Sequence, residues 1–202
     1  MRRTAEEAAQ TRQSILDAAL LVFSKKGYHA TRLTDIAQEA EVTRGAIYHH
    51  FDNKAKLYEA LLDEASAMGS DAVQQAMAGG GSFAEICGRI LSSSLAVLET
   101  NVQMRQIMEL SLFKIGFDPE LAELDEARQQ QAVTTVEAIA QMMQAGIANG
   151  DLKPNLDALD AARAFIAYQN GLIMLWLTNR QAFSIGERAA QFAEIFLEGI
   201  VA

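Results

Sequence analysis

Arg44, Gly45, Tyr48, His49 and His50 fall within nine residues, TRGAIYHHF at 43–51. Ile47 and Phe51, four apart, mark one face of a short helix as inward-facing, so the polar side chains fall on other faces. Outward-facing, Arg44 has the donor geometry to read base edges, guanine above all, in a major groove. Gly45 lets a backbone approach closely. Tyr48, His49 and His50 can donate hydrogen bonds to phosphates, and Thr31, Thr43, Lys54 and Lys56 stand at helix ends, where hydroxyls, amides and ammonium groups clamp a nucleic-acid backbone. The same pattern also fits a plain three-helix domain with polar outer faces. Paired histidines raise metal binding, but adjacent helical residues point about 100° apart and no acid or thiol completes a ligand set. No metal and no cofactor are expected.

The elements that must position these residues can be read from apolar spacing. Ile15, Ala18, Ala19, Val22 and Phe23 recur at helical intervals within a first helix from Glu6 to Lys26, closed by Lys25, Lys26 and Gly27. Leu33, Ile36, Ala37 and Ala40 give a second, short helix. Thr43 is a natural N-cap for the third, and Asp52-Asn53-Lys54 starts a new turn. Two short helices joined this tightly and packed on a longer one form a helix-turn-helix, with the helix at 43–51 as reader. A fourth helix begins near Lys54 and runs to the break AGGGS at 78–82. These glycines lack the Lys-Ser/Thr of a phosphate-binding loop and a preceding strand, and serve as a connector. Five further helices are predicted near 83–100, 103–115, 119–149, 156–179 and 185–201.

Composition agrees with an all-α fold. Half of the 202 residues are apolar and only two are proline. Cys87 is the single cysteine, which excludes an intrachain disulfide and fits a reducing cytoplasm. MRRTAEEAAQ lacks the apolar core of a signal peptide, and no apolar run has the length of a membrane span. The net charge of −9 argues at first against nucleic acid, but it is unevenly placed. Residues 1–60 carry nine Lys/Arg against eight Asp/Glu, and the remainder eight against eighteen, so the acidity belongs to the later part. Catalysis finds no support, because Cys87 has no visible base and no histidine follows His50.

Residues 11–62, TRQSILDAALLVFSKKGYHATRLTDIAQEAEVTRGAIYHHFDNKAKLYEALL, closely resemble the DNA-binding domain of the TetR family of bacterial transcriptional regulators. The resemblance rests on ILDAAL with the following Phe, Gly-Tyr and Thr, on LTDIA, and on VTRGAIYHHFDNKAKL with its Tyr-x-x-Phe and following Lys. One departure is Glu41, where the family usually has glycine. A left-handed backbone there would cost roughly 1 kcal/mol or more in strain.

LKPNLDALDAARAFIAYQNGLIMLWLTNRQAFSI, residues 152–185, is similar to the closing helices of multidrug-efflux regulators. The resemblance implies a reading domain at 1–53 and a larger helical ligand-binding and dimerisation domain at 54–202. It implies a homodimer through the last two helices on double-stranded operator DNA. The apolar stripe of the last helix, with Leu175 and Trp176 before it, agrees with a dimer and equally with packing inside one chain. By position, the resemblance places an effector pocket at Cys87, Leu91, Ser94, Met108, Ser111, Leu112, Ile139, Ile166, Gln169, Asn170, Ile173 and Met174. That wall is apolar with uncharged hydrogen-bonding groups, and suits a small lipophilic or aromatic ligand. The expectation is therefore a ligand-released repressor of an efflux or detoxification operon. A helical small-molecule-binding or adaptor protein without operator binding is the alternative.

Overall fold

The computed structural model describes residues 5–116 and 118–202. Among them the architecture is all-α: α1 (Ala5–Lys26), α2 (Leu33–Glu39), α3 (Arg44–His50), α4 (Lys54–Ala78), α5 (Phe83–Thr100), α6 (Val102–Phe113), a single 3-10 turn (Pro119–Leu121), α7 (Ala122–Asn149), α8 (Ala158–Thr178) and α9 (Ile185–Ile200). The helices start where short polar side chains can cap them. Thr43, Ser82, Asp157 and Ser184 each accept a hydrogen bond from the backbone three residues on, and Ser82 forms a capping box with Glu85.

The chain divides into two compact units, one of residues 1–67 with 103–125 and one of 68–102 with 126–202. The first unit is larger than the segment 1–53 expected for the reading domain, because α6 and the turn after it pack there. Its core holds Ile15, Leu16, Ala19 and Phe23 of α1, Ile36 of α2, Ile47 of α3, Leu57, Tyr58 and Leu61 of α4, and Ile107 and Leu110 of α6, all essentially buried. Polar contacts tie Lys114 and Asp118 to the end of α1 and the turn after it. The Lys114 ammonium donates to the Ser24 carbonyl, and His29 Nδ1 stands 3.1 Å from Asp118 Oδ2. Gly27, with φ +78°, closes α1 in the left-handed region, which glycine occupies without a Cβ penalty.

In the second unit α5 and α9 run in close contact. A Cβ on Gly88 would meet Leu197 Cδ1 at 3.4 Å, and one on Gly186 would lie 3.7 Å from the Ala96 Cα. Glu99 of α5 fixes the start of α9 by accepting from Ser184 Oγ and Gly186 N, each at 2.8 Å. α8 joins through Phe165 and Tyr168, whose rings each lie 5.4 Å from that of Phe196. For Trp176, where the sequence leaves a dimer contact and packing inside one chain both open, the second holds: it is 3 % exposed, and its indole N–H donates to the Phe183 carbonyl. A tryptophan needs a partner for that N–H once buried, and a loop carbonyl supplies it. No helix of the described residues is long and apolar enough to cross a membrane.

Candidate nucleic-acid interface

α3 is held from beneath and open above. Ile47 is buried and Phe51, its C-cap, is 5 % exposed, whereas Thr43, Arg44, Gly45, Tyr48 and His49 face solvent. The turn that delivers it is a Schellman motif at the end of α2. Val42 N–H bonds the Ala37 carbonyl at 3.0 Å and Glu41 N–H bonds Gln38 at 3.3 Å, with Glu41 at φ +54°. Among the described residues Glu41 is the one non-glycine at positive φ. The left-handed backbone considered from sequence is therefore present, and Glu41 bears its strain.

On the open face Arg44 Nη2 donates to the Tyr48 hydroxyl at 2.8 Å, and the guanidinium lies 5.3 Å from that ring's centroid. The two form one exposed unit, one turn apart. A Cβ on Gly45 would touch nothing nearer than Thr43 Oγ1 at 3.8 Å, so packing within the chain does not require glycine there. What glycine leaves is a bare backbone on the outward face. His49 and His50 stack edge to face with centroids 5.1 Å apart, and His50 lies 6.5 Å from Phe51.

Two flanking residues, Thr31 and Lys54, are used differently from their expected role. Thr31 is 2 % exposed and donates its hydroxyl to the Gly27 carbonyl at 2.7 Å, so it braces the turn before α2 and has no face for phosphate. Lys54 turns its ammonium inward, donating to the Tyr28 carbonyl at 3.1 Å and sitting 4.1 Å from the centre of the Tyr28 ring. Thr43 is exposed but occupied, since its hydroxyl oxygen accepts from Ala46 N. Lys56 is exposed and paired with Glu59 at 2.6 Å, which holds the amine above its ordinary range. Asn53 caps α4 by accepting from Lys56 N at 2.9 Å.

One residue was not singled out from sequence. Arg12 of α1 places its guanidinium carbon 5.0 Å from the Phe51 centroid. Its signal was the register of α1: Arg12 lies three and four residues before the buried Ile15 and Leu16, and so extends the core stripe by one turn.

The expected effector residues are distributed between the units. Met108, Ser111 and Leu112 lie on α6 in the first, and the other nine lie in the second. Cys87, Leu91 and Ile173 are buried, Ser94, Ile139, Ile166 and Gln169 half-buried, and Asn170 and Met174 exposed. Ser94 donates to the Ile90 and Leu91 carbonyls at 2.7 and 3.0 Å, which leaves its oxygen only as an acceptor. Burial raises the Cys87 thiol to about 12. Within the second unit an open groove of about 750 Å³ runs between α5 and α9, lined among others by Ala84, Gly88, Ser92, Ala193 and Leu197. None of the expected effector residues lines it. Cys87 and Leu91 are 1 % exposed, while the small residues beside them on α5 line the groove.

A capped, exposed short helix presented by a tight turn over a three-helix core defines a helix-turn-helix DNA-binding regulator. The family model for bacterial regulatory proteins of the TetR family matches residues 15–61, and that for the C-terminal region of MAATS-type transcriptional repressors matches 85–201. The chain is 37 % identical over 184 residues to the HTH-type transcriptional regulator TtgR of Pseudomonas putida, across 88 % of this chain and 85 % of that one. It is 32 % identical over 198 residues to the regulator AcrR of Shigella flexneri, across 98 % and 92 %. Among solved structures, native NalD, described as the secondary repressor of the MexAB-OprM multidrug efflux pump in Pseudomonas aeruginosa, superposes with a TM-score of 0.83 at 27 % identity, over 96 % of this chain and 98 % of that one. The chain belongs to the TetR family of bacterial regulatory proteins; it is a transcriptional regulator and not an enzyme.

Proposed function

We propose that this regulator is a ligand-released repressor of an efflux or detoxification operon, acting in the cytoplasm as a homodimer on a pseudo-palindromic operator. The observation that carries the reading is the outward unit of Arg44 and Tyr48 beside the bare backbone of Gly45, on a helix whose opposite face is locked by Ile47 and Phe51. Arg44 reads base edges, and Thr43, Tyr48, His49, His50 and Lys56 contact the backbone. Support for the dimer comes from Met174 and Leu175 of α8 and Ile195 of α9, which are 49 %, 61 % and 55 % exposed. Large apolar side chains gathered near the last two helices favour a self-complementary partner. A twofold axis then sets the two copies of α3 roughly 34–36 Å apart, in successive major grooves.

The effector is a small lipophilic or aromatic compound, held in the second unit among the residues named above on α5, α7 and α8. It favours a dimer with a different separation of its reading heads, so effector and operator oppose each other by the same factor. The likeness to NalD, described as a repressor of a multidrug efflux pump, supports efflux as the regulated process. The test is retardation of duplex fragments from upstream of the protein's own gene, followed by release with compounds selected in a thermal-shift screen. Binding that a hit reverses supports the reading. Failure to bind any such fragment at low salt rejects it.

A further inference from the structure

Arg12 of α1 lies beside Phe51, the C-cap of α3. It is exposed, and among the described residues no hydrogen bond or ion pair engages its guanidinium. Other cations of the first unit are committed: Lys26 pairs with Asp35 at 3.1 Å, Lys56 with Glu59, and Lys54 with the Tyr28 carbonyl. Among the described residues its partner is the face of Phe51, 5.0 Å away. Stacking on an aromatic face holds a planar guanidinium in orientation and leaves its N–H edge free, the arrangement in which arginine takes a phosphate bidentately. Phe51 is next to His50, whose ring is next to that of His49, so Arg12 stands at the end of a continuous row of side chains running off the carboxyl end of α3.

We infer that Arg12 is a further DNA contact: it grips a backbone phosphate flanking the major groove that α3 occupies, with Phe51 fixing its orientation. The inference rests on the operator-binding reading above. It extends the contact surface from the helix-turn-helix to the first helix, and it assigns Phe51 a second role beside closing α3. Being sequence-independent, the contact adds affinity and salt dependence without base preference.

The test is fluorescence anisotropy of the full-length protein on a labelled duplex from upstream of its own gene, across a potassium chloride series. Arg12→Gln should bind several-fold more weakly at 0.1 M salt. Its slope of log K against log salt should be shallower than wild type by ~0.9 per protomer contact, with discrimination between operator and scrambled duplex unchanged. An unchanged slope, with or without weaker binding, overturns the inference and leaves Arg12 a packing role. A second measurement uses Arg12→Lys, which keeps the charge and does not depend on how the glutamine variant folds. Neutral methylphosphonates are placed in turn at the flanking phosphates. The lysine substitution and the neutralisation should be non-additive at one phosphate, and additivity at every position overturns the inference. Wild-type protein that binds no duplex at any salt rejects operator binding itself, and this inference with it.

Discussion

Arg44 and Tyr48 are joined twice, by a hydrogen bond of 2.8 Å from the guanidinium to the phenol oxygen and by the guanidinium lying 5.3 Å from the ring centre. The pair spans one turn of α3, so the arginine is oriented before any DNA arrives. Arg44→Ala should therefore weaken specific binding by roughly 1–3 kcal/mol and flatten the preference among single-base operator variants. Tyr48→Phe keeps the ring but removes the acceptor, and should cost about 0.5–1 kcal/mol while preserving base preference. Anisotropy titrations on a panel of point-substituted duplexes separate the two. Equal losses across the whole panel for Arg44→Ala would show that Arg44 does not read bases.

Glu41 occupies the left-handed position of the Schellman motif that ends α2. A side chain there costs roughly 1–2 kcal/mol, of which glycine's greater freedom in the unfolded chain returns part, so Glu41→Gly should stabilise by about 0.5–1 kcal/mol. For a chain of this length that is a rise in Tm of roughly 1–4 °C. Glu41→Ala separates charge from strain, because it removes the carboxylate and keeps the Cβ. It should not reproduce the gain. Tighter DNA binding by both variants would locate a separate effect of the charge.

The helix order, the boundaries of α3 and its exposed face are legible in the sequence because they follow from local rules: period 3.6, a threonine cap, and Ile47 four residues before Phe51. Type and position suggest a phosphate clamp for Thr31 and Lys54, whereas their partners, the Gly27 and Tyr28 carbonyls, lie in a turn whose shape no periodicity encodes. Contacts from Lys114 to Ser24 and from Asp118 to His29 join segments about ninety residues apart. They place residues 103–125 in the first unit, and helical patterning carries no record of such pairings. The Phe183 carbonyl that accepts from the Trp176 indole lies beyond the end of α8, a pairing that periodicity does not encode either.

Lys54 and Lys56 are two residues apart and should behave oppositely. Lys54→Met leaves the Tyr28 carbonyl without its donor and the Tyr28 ring without its cation, a loss of about 1–2 kcal/mol seen as a lower Tm. Its effect on the salt dependence of DNA binding should be negligible. Lys56→Ala removes an exposed ammonium paired with Glu59 at the surface, so Tm should stay near wild type. The slope of log K against log salt should fall by ~0.9 if Lys56 meets a phosphate. Thermal melts and salt titrations of both variants decide the assignment, and a reversed pattern would exchange their roles.

Cys87 gives the protein a stability term that depends on pH. Its thiol is 1 % exposed, and burial raises it to about 12 from an ordinary value near 9. Below pH 9 the thiol is protonated whether the chain is folded or not, and the term is fully present. Between pH 9 and 12 the unfolded chain releases the proton and the folded chain keeps it, so the unfolded state gains and stability falls as pH rises. For one such group the loss between pH 8 and 10 is on the order of 1 kcal/mol. Tyr28 and Tyr168, both raised by burial, add to the decline at higher pH, so wild type alone is not diagnostic. The comparison is with Cys87→Ala, measured by urea unfolding at pH 8 and pH 10. The alanine variant starts lower because of the space it leaves, and its decline should be shallower by that same order of 1 kcal/mol. The native thiol should also resist a water-soluble disulfide reagent at pH 8 and react fully once urea unfolds the chain. Rapid labelling of the folded protein, or parallel declines of the two chains, would place Cys87 in a wetter site than its burial indicates.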